Sequence, residues 1–335
     1  MSDYFSNTYN SFSECIGNTP LIKLKKISEE TGCNIYGKCE FLNPGGSVKD
    51  RAALQIIKDA LKSNKIKSGG TIVEGTAGNT GIGLSLVGNS LGMKSVIVIP
   101  KTQSEEKKDM LRLCGADLRE VEALPYKDPG NYIRFSETLS KEIKNENGVF
   151  WANQFDNVSN KKAHYLSTGP EIWKQLDGKV DAFICSVGTG GTLSGVKQFL
   201  KEKNKNIIIG IADPLGSALY NYYKYGELKA EGSSITEGIG QGRITKNLEG
   251  LDLDEGFQIN DNEALEQVFD LLKNEGLVLG GSSGINIVGA KKLAEKIGPG
   301  KTIVTILCDY GTRYQKKIFN KEFLKSKNLI FPDWL

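Results

Sequence analysis

Short apolar runs rich in β-branched residues alternate along the chain with longer stretches whose apolar residues recur at helical spacing. The apolar runs, bounded by glycine and proline, predict buried strands at 71–74, 95–100, 180–187, 207–212 and 302–307. The longer stretches predict helices at 52–61, 81–91, 105–113, 193–201, 262–274 and 285–296. This alternation is typical of the α/β fold class, and it predicts mostly parallel sheets covered by helices on both faces.

The length of the chain, 335 residues, exceeds what one simple core usually holds and predicts two domains. Polar stretches at 126–130 and 147–160 favour a crossing between the domains near Asn153. We therefore expect an N-terminal domain of residues 1–153 and a C-terminal domain of residues 154–335, each with a mostly parallel sheet. Binding clefts commonly form at such domain interfaces.

Composition narrows the classes of function. The 43 basic and 40 acidic side chains give a net charge of +3 and are spread along the chain, so nucleic acid is not an expected partner. No apolar run approaches a membrane span, and residues 1–13 lack the pattern of a secretory leader. The six cysteines are scattered and His164 is the single histidine, so we expect no metal site and a cytoplasmic location with reduced thiols.

Lys49 follows a flexible Gly45-Gly46 turn. Ser47 is a predicted N-cap and Asp50 completes a capping-box pattern, which places Lys49 in the first turn of a helix. The positive end of a helix disfavours a cation, and with desolvation it favours a neutral amine, which is a nucleophile able to form a Schiff base. The position alone fits a solvated surface lysine better, so other motifs must decide.

A glycine-rich loop, Gly188-Thr189-Gly190-Gly191-Thr192, lies between a predicted strand and a predicted helix. Successive glycine N–H groups can converge there, and the helix N-terminus adds positive potential, so the loop suits a phosphate. The spacing differs from that of a nucleotide P-loop and of the dinucleotide fingerprint. The phosphate of a small cofactor remains, with an ordinary tight turn as the alternative.

Two further glycine-rich loops precede predicted helices. In the loop 74–81, backbone amides and the side chains of Thr76, Asn79 and Thr80 suit a carboxylate or a phenolic oxygen on a cofactor ring. In the loop 280–284, the hydroxyl of Ser282 can meet a neutral ring nitrogen without protonating it. Taken singly, both loops are explained as well by turn formation and helix capping.

In this order and spacing, the four motifs resemble those of the fold-type-II pyridoxal phosphate enzymes, the tryptophan synthase β-like superfamily. Within it the chain is similar to the cysteine synthases, or O-acetylserine sulfhydrylases, and to the cystathionine β-synthases. The likeness extends from the run at 16–21 to about Tyr314 and includes Gln154-Phe155 and the run at 168–173. It implies pyridoxal 5'-phosphate as the cofactor of a two-domain α/β enzyme.

The resemblance also implies a role for each matching residue. Lys49 matches the Schiff-base lysine, Asn79 the asparagine that binds the ring oxygen, and Ser282 the residue that faces the pyridine nitrogen. The cofactor phosphate is held at positions matched by Gly188, Thr189, Gly190, Gly191 and Thr192. The substrate carboxylate is held at positions matched by Thr76, Gly78, Thr80 and Gln154. A structural role is our interpretation of His164.

The implied reaction is β-replacement, in which O-acetyl-L-serine and sulfide give L-cysteine and acetate. The substrate amine displaces Lys49 from the cofactor, and the freed lysine removes the Cα proton as general base. Acetate leaves to give an α-aminoacrylate, sulfide adds to the β-carbon, and Lys49 returns the proton. The expected partners are an amino acid with sulfide or another thiol. Similar enzymes are homodimers, and a serine acetyltransferase is a candidate protein partner.

Three residues depart from the common cysteine synthase pattern. Ala77 and Asp309 replace serines, and Arg243 replaces an aromatic residue near the active-site mouth, where it offers a cation or is a solvated loop charge. Asp309 is a cap or an ion-pair partner near the ring nitrogen. With the run beginning at Asp213, it favours a second hypothesis, cystathionine β-synthase or cysteine desulfhydrase. A serine or threonine dehydratase is third, and a non-catalytic amino acid sensor is last because Lys49 is present.

Overall fold

The computed structural model describes residues 8–335, so residues 1–7, in the segment where no secretory leader is expected, lie outside the described residues. Ten strands occur in the described range: β1 (Leu21–Lys23), β2 (Asn34–Cys39), β3 (Thr71–Gly75), β4 (Lys94–Pro100), β5 (Asp117–Val121), β6 (Val149–Trp151), β7 (Ala182–Cys185), β8 (Ile208–Pro214), β9 (Glu255–Ile259) and β10 (Thr302–Leu307).

The same range contains twelve α-helices: α1 (Lys25–Thr31), α2 (Lys49–Lys62), α3 (Asn79–Ser90), α4 (Glu105–Leu113), α5 (Tyr132–Glu142), α6 (Ser159–Leu166), α7 (Thr168–Gln175), α8 (Gly191–Lys203), α9 (Leu219–Tyr225), α10 (Asp261–Glu275), α11 (Gly281–Ile297) and α12 (Lys321–Ser326). Among the helices of residues 8–335, none is both long and apolar enough to cross a membrane. The five predicted strands correspond to β3, β4, β7, β8 and β10, and the six predicted helices to α2, α3, α4, α8, α10 and α11.

The strands form two sheets. The larger has the order β1-β2-β10-β7-β8-β9, in which only β1 pairs antiparallel with its neighbour. The smaller has the order β5-β4-β3-β6 and is parallel throughout. Strands β3 and β7 are wholly buried, and accordingly β7 is a continuous apolar run rather than an alternation, while β3 also buries Thr71 and Glu74. The predicted α/β fold with mostly parallel sheets is confirmed.

The division of the chain at Asn153 stays a prediction, but the two sheets do not separate there. Strands β1 and β2 precede that residue and yet lie in the larger sheet, where β2 pairs with β10 from Asn34↔Thr302 to Cys39↔Leu307. The smaller sheet consists only of strands β3 to β6. Pairing between strands so distant in sequence leaves no local pattern from which a boundary could be read.

A buried network of charged side chains ties strand β2 to helices α2 and α7. The Arg51 guanidinium donates to Glu40 at 2.7 Å and bonds both carboxylate oxygens of Glu171 at 2.7 Å. Lys38 Nζ lies 2.7 Å from Glu171, and the Thr19 hydroxyl donates to Glu40 at 2.7 Å. Burial alone would raise the pKa of Glu171, but the bonds to Arg51 and the charge of Lys38 lower that pKa to about 2. The Glu171 carboxylate is therefore ionised, and its negative charge is matched by the positive charges of Arg51 and Lys38.

Replacing Glu171 by alanine should leave Lys38 and one edge of Arg51 buried without an anion. Because an unpaired buried charge is costly, we expect the free energy of unfolding to fall by about 3–5 kcal/mol in urea denaturation. The matched control is Glu137→Ala, which breaks the exposed Lys141–Glu137 pair and should cost less than about 1 kcal/mol. Equal losses in the two variants would show that the network contributes no special stability.

Candidate functional site

A cavity of about 630 Å³ is lined by loops that follow strands of both sheets. Thr76 follows β3 and Gln154 follows β6 in the smaller sheet, while Gly188 follows β7 and Cys308 follows β10 in the larger one. In parallel sheets, ligands bind outside the carboxyl ends of the strands, because loops from several strands meet there. The cavity is therefore the candidate active site.

Ten of the twelve predicted site residues line this cavity: Lys49, Thr76, Asn79, Thr80, Gln154, Gly188, Thr189, Gly190, Thr192 and Ser282. The other two, Gly78 and Gly191, do not line it but shape the loops that do. Gly78 has a φ of +126°, and a Cβ there would press on the Lys107 side chain at 2.6 Å. A Cβ on Gly191 would clash with the Asn160 amide. The structure thus brings the predicted residues together, while their individual roles stay predictions.

Lys49 is the first residue of α2 and its side chain is half-buried. Among the described residues, its amine has neither an ion-pair nor a hydrogen-bond partner. The Val48 N–H donates to the Cys308 carbonyl at 3.0 Å, which fixes the helix start beside the end of β10. The amine is thus placed in the cavity without a competing contact.

The predicted capping box before Lys49 is wrong. The N-cap of α2 is Val48, which makes no side-chain capping bond, and the Ser47 hydroxyl accepts only from the Lys49 N–H, at 3.3 Å. The Asp50 carboxylate instead accepts a hydrogen bond from the Gly45 N–H at 2.6 Å, because the tight turn brings that N–H close to it. Burial raises the pKa of Asp50 to about 7. Asp50 therefore fixes the turn that leads into Lys49.

The loop 188–192 forms a cradle that larger residues would close. A Cβ on Gly188 would clash with the backbone oxygen of Gly238, and Gly190 has a φ of +91°. Helix α8 begins at Gly191, whose N–H donates to the Thr189 hydroxyl at 3.4 Å, so the N–H groups of Thr192 and Leu193 are left for a ligand. The Thr189 hydroxyl accepts from Asn160 at 2.8 Å and can donate into the cavity. These donors at a helix N-terminus fit a phosphate.

His164 is buried between Thr192, in this loop, and Thr168, at the start of α7. Its Nδ1 lies 2.9 Å from the Thr168 hydroxyl and its Nε2 lies 3.2 Å from the Thr192 hydroxyl. Burial lowers the pKa of His164 to about 3, so the imidazole is neutral at ordinary pH. The side chain supports Thr192 from behind, which agrees with the structural interpretation.

Sequence analysis assigned no role to Glu74, which holds Gln154 in the cavity wall. Glu74 is buried and accepts hydrogen bonds from the Gln154 backbone and side-chain nitrogens, both at 3.2 Å. Gln154 in turn accepts from the Thr80 hydroxyl at 2.6 Å. Burial raises the pKa of Glu74 to about 8. The acidic residue at the end of β3 is thus a support for Gln154 rather than a surface charge.

Asp309 lies in the cavity wall, but neither interpretation offered for it holds. Its Oδ2 accepts hydrogen bonds from Asn79 Nδ2 at 2.7 Å and from the Tyr314 hydroxyl at 2.6 Å. Within residues 8–335 it forms no ion pair, and the short helix that follows it has Tyr310 as its N-cap. Asp309 is a buried hydrogen-bond acceptor.

Helix capping does not explain the loop 280–284, which contains Ser282. Helix α11 begins at Gly281, and no side chain caps it. The Ser283 hydroxyl accepts from the Cys308 N–H at 2.9 Å, whereas Ser282 lines the cavity and is almost fully buried. Ser282 is therefore part of the cavity wall, and Ser283 holds the loop against β10.

Arg243 is neither a free cation at the mouth nor a solvated loop charge. Its guanidinium forms two bonds to Asp156, at 3.1 and 2.9 Å, and lies 4.5 Å from the centre of the Tyr126 ring. Arg243 does not line the cavity, whereas Ala77 does. Asp213 lies outside the cavity too, and its carboxylate accepts from the Tyr220 N–H at 2.8 Å at the start of α9.

Glu237 is a further cavity residue to which sequence analysis assigned no role. Its carboxylate lies 2.7 Å from Lys107 Nζ on α4 and also bonds Lys317 near the C-terminus. Burial opposes ionisation, yet these two lysines keep the pKa of Glu237 lowered. A wall of the cavity is thus held by ion pairs between segments far apart in the chain.

Comparison with known proteins identifies the family. The family described as "Pyridoxal-phosphate dependent enzyme" matches residues 12–309. The chain belongs to this family. It is 52% identical over 320 residues to cysteine synthase 1 of Neurospora crassa, which covers 94% of this chain and 84% of the relative.

Two solved structures share the fold over most of their length. An O-acetylserine dependent cystathionine beta-synthase from Helicobacter pylori has a TM-score of 0.84 and 34% identity, covering 93% of this chain and 98% of that one. A hydrogen sulfide-producing enzyme from Fusobacterium nucleatum has a TM-score of 0.84 and 36% identity, covering 92% and 100%. The protein is thus an enzyme that uses pyridoxal phosphate, and its glycine cradle and unpaired Lys49 fit that group.

Exchange of Glu74 for glutamine should alter how stability depends on pH. Glu74 has a raised folded pKa, so its stabilising contribution is complete below the unfolded value of about 4.3 and is lost as pH rises through about 8. Between about pH 5.5 and pH 8.5, Glu74→Gln should therefore gain up to about 3 kcal/mol relative to the native protein in urea denaturation. A constant difference between the two proteins would contradict the buried, protonated state of Glu74.

Proposed function

We propose that the protein catalyses β-replacement, converting O-acetyl-L-serine and sulfide into L-cysteine and acetate. One observation carries the proposal: Lys49 has an unpaired amine in a cavity that also contains a phosphate cradle, Asn79 and Ser282. The extensive identity to a cysteine synthase supports the same reaction.

The chain's own residues can hold each part of the cofactor. Pyridoxal phosphate, when bound, supplies an aldehyde that bonds to amines and a ring that withdraws electrons from Cα. The loop 188–192 would hold the phosphate with backbone N–H groups. Asn79 would donate to the ring oxygen, and the Ser282 hydroxyl would meet the ring nitrogen without adding charge.

Lys49 would move the proton in this reaction. Its Nζ takes the proton from the substrate Cα and later returns it, and between these transfers acetate leaves the β-carbon and sulfide bonds there. Thr76, Thr80 and the backbone at Gly78 would hold the substrate carboxylate, with Gln154 behind them. His164 is buried behind Thr192, and Glu237 is ion-paired with Lys107 and Lys317, so Lys49 offers the substrate an unpaired amine.

A second candidate is cystathionine β-synthase or cysteine desulfhydrase activity. The two similar solved structures support it, since one enzyme is a cystathionine beta-synthase and the other produces hydrogen sulfide. Arg243 does not support it, because Asp156 already neutralises its charge. Dehydratase activity is less well supported, and a sensor without activity would not need Lys49. We also propose a homodimer in the cytoplasm that binds serine acetyltransferase, as in similar enzymes.

Lys49→Ala should lower the rate of cysteine formation from O-acetylserine and sulfide by more than about 10³-fold, because it removes both the amine nucleophile and the general base. The matched control is Lys62→Ala, an exposed lysine at the other end of α2, which should leave the rate unchanged. Free cysteine is measured against time. A Lys49→Ala protein with native turnover would refute the assignment of Lys49.

The second substrate can be determined with the native protein by offering sulfide and homocysteine in separate assays with O-acetylserine. We expect sulfide to be consumed at least about ten times faster, because Arg243 is occupied and offers no cation to a larger anion. Faster cystathionine formation, or release of sulfide from cysteine alone, would favour the second candidate instead.

A further inference from the structure

One hydrogen-bond acceptor and one hydrogen-bond donor determine the orientation of the Asn79 side-chain amide. The Asp309 carboxylate can only accept, and it lies 2.7 Å from Asn79 Nδ2. The Arg313 guanidinium can only donate, and it bonds Asn79 Oδ1. A reversed amide would place acceptor against acceptor and donor against donor. One N–H of the amide is then left, and Asn79 lines the cavity.

Both neighbours are themselves held in place. Asp309 is 1% exposed, accepts a second hydrogen bond from the Tyr314 hydroxyl, and its carbonyl accepts from the Gly280 N–H at 3.1 Å. Arg313 also donates to the carbonyl of Gly45, in the turn that leads into α2. The orientation of the amide is therefore coupled to the turn that positions Lys49 and to the loop that carries Ser282.

We propose that Asp309 and Arg313 are positioning residues that fix the Asn79 amide so that its remaining N–H is a donor to an oxygen bound in the cavity. In pyridoxal phosphate this oxygen is the phenolic ring oxygen, so the inference rests on the use of that cofactor. A reversed amide would present its carbonyl oxygen and repel the ring oxygen. A serine at position 309 is shorter and can donate as well as accept, so it would not impose one orientation.

A double-mutant cycle tests whether Asp309 acts through Asn79. Dissociation constants for pyridoxal phosphate are measured for the native apoprotein, Asp309→Ala, Asn79→Ala and the double variant. Asp309→Ala should weaken binding about tenfold in the native background and less than about twofold in the Asn79→Ala background. An equal loss in both backgrounds would overturn the proposal. If the Asp309→Ala apoprotein does not fold, Asp309→Ser replaces it under the same criterion.

Rescue and a matched control separate positioning from general stability. Asp309→Asn keeps an acceptor oxygen but can also donate, so it should bind the cofactor more tightly than Asp309→Ala and less tightly than the native protein, whereas Asp309→Ala should also shift the visible band of the bound cofactor. Asp213→Ala removes a buried aspartate outside the cavity and should leave cofactor affinity and spectrum unchanged. A spectral shift in the control as large as that of Asp309→Ala would refute the positioning role.

The cycle measures cofactor binding, so its outcome is independent of which reaction follows. A native protein that binds pyridoxal phosphate with full coupling, yet forms no cysteine, would contradict the proposed function and support the positioning role. Normal cysteine formation without this coupling would support the proposed function and contradict the positioning role.

Discussion

The buried ion pairs around Arg51 are the constraint on which the arrangement of the site depends. Charges removed from water must be matched, so Arg51 on α2, Glu40 after β2 and Glu171 on α7 have to meet at one place. Arg51 is two residues beyond Lys49 in the same helix. The network therefore fixes the start of α2, and with it Lys49, relative to the larger sheet. Thr19, in the run at 16–21, and Glu171, in the run at 168–173, both bond to this network. The network therefore explains why these two runs occur in the same chain as the Lys49 motif.

A second layer of order comes from loops that meet at the carboxyl ends of parallel strands. Each loop needs glycine for a specific steric reason, as at Gly188, where a side chain would meet the neighbouring loop. Buried acidic residues then hold the loops: Glu74 holds Gln154, and Asp309 holds Asn79. The cavity thus lies between loops of two rigid sheets, and buried side chains fix the directions of its hydrogen-bond donors.

The sequence predicted the helices, the strands and the cavity loops better than it predicted which distant residues pair with one another. Continuous apolar runs identified the buried strands, and glycine spacing identified the loops, because both signals are local. The pairing of β2 with β10, the bond from Asn79 to Asp309 across 230 positions, and the pairing of Arg243 with Asp156 leave no local signal. The predicted capping box was wrong for a related reason, because the Asp50 carboxylate accepts a hydrogen bond from the Gly45 N–H instead.

The most direct test of the central claim is to reduce the cofactor-loaded native protein with borohydride and map the modified peptide by mass spectrometry. Reduction makes a bond between the cofactor aldehyde and a lysine amine permanent. We expect the added mass to lie on the peptide that contains Lys49, and within it on Lys49 itself. Modification of a different lysine, or no stable modification of the loaded protein, would contradict it.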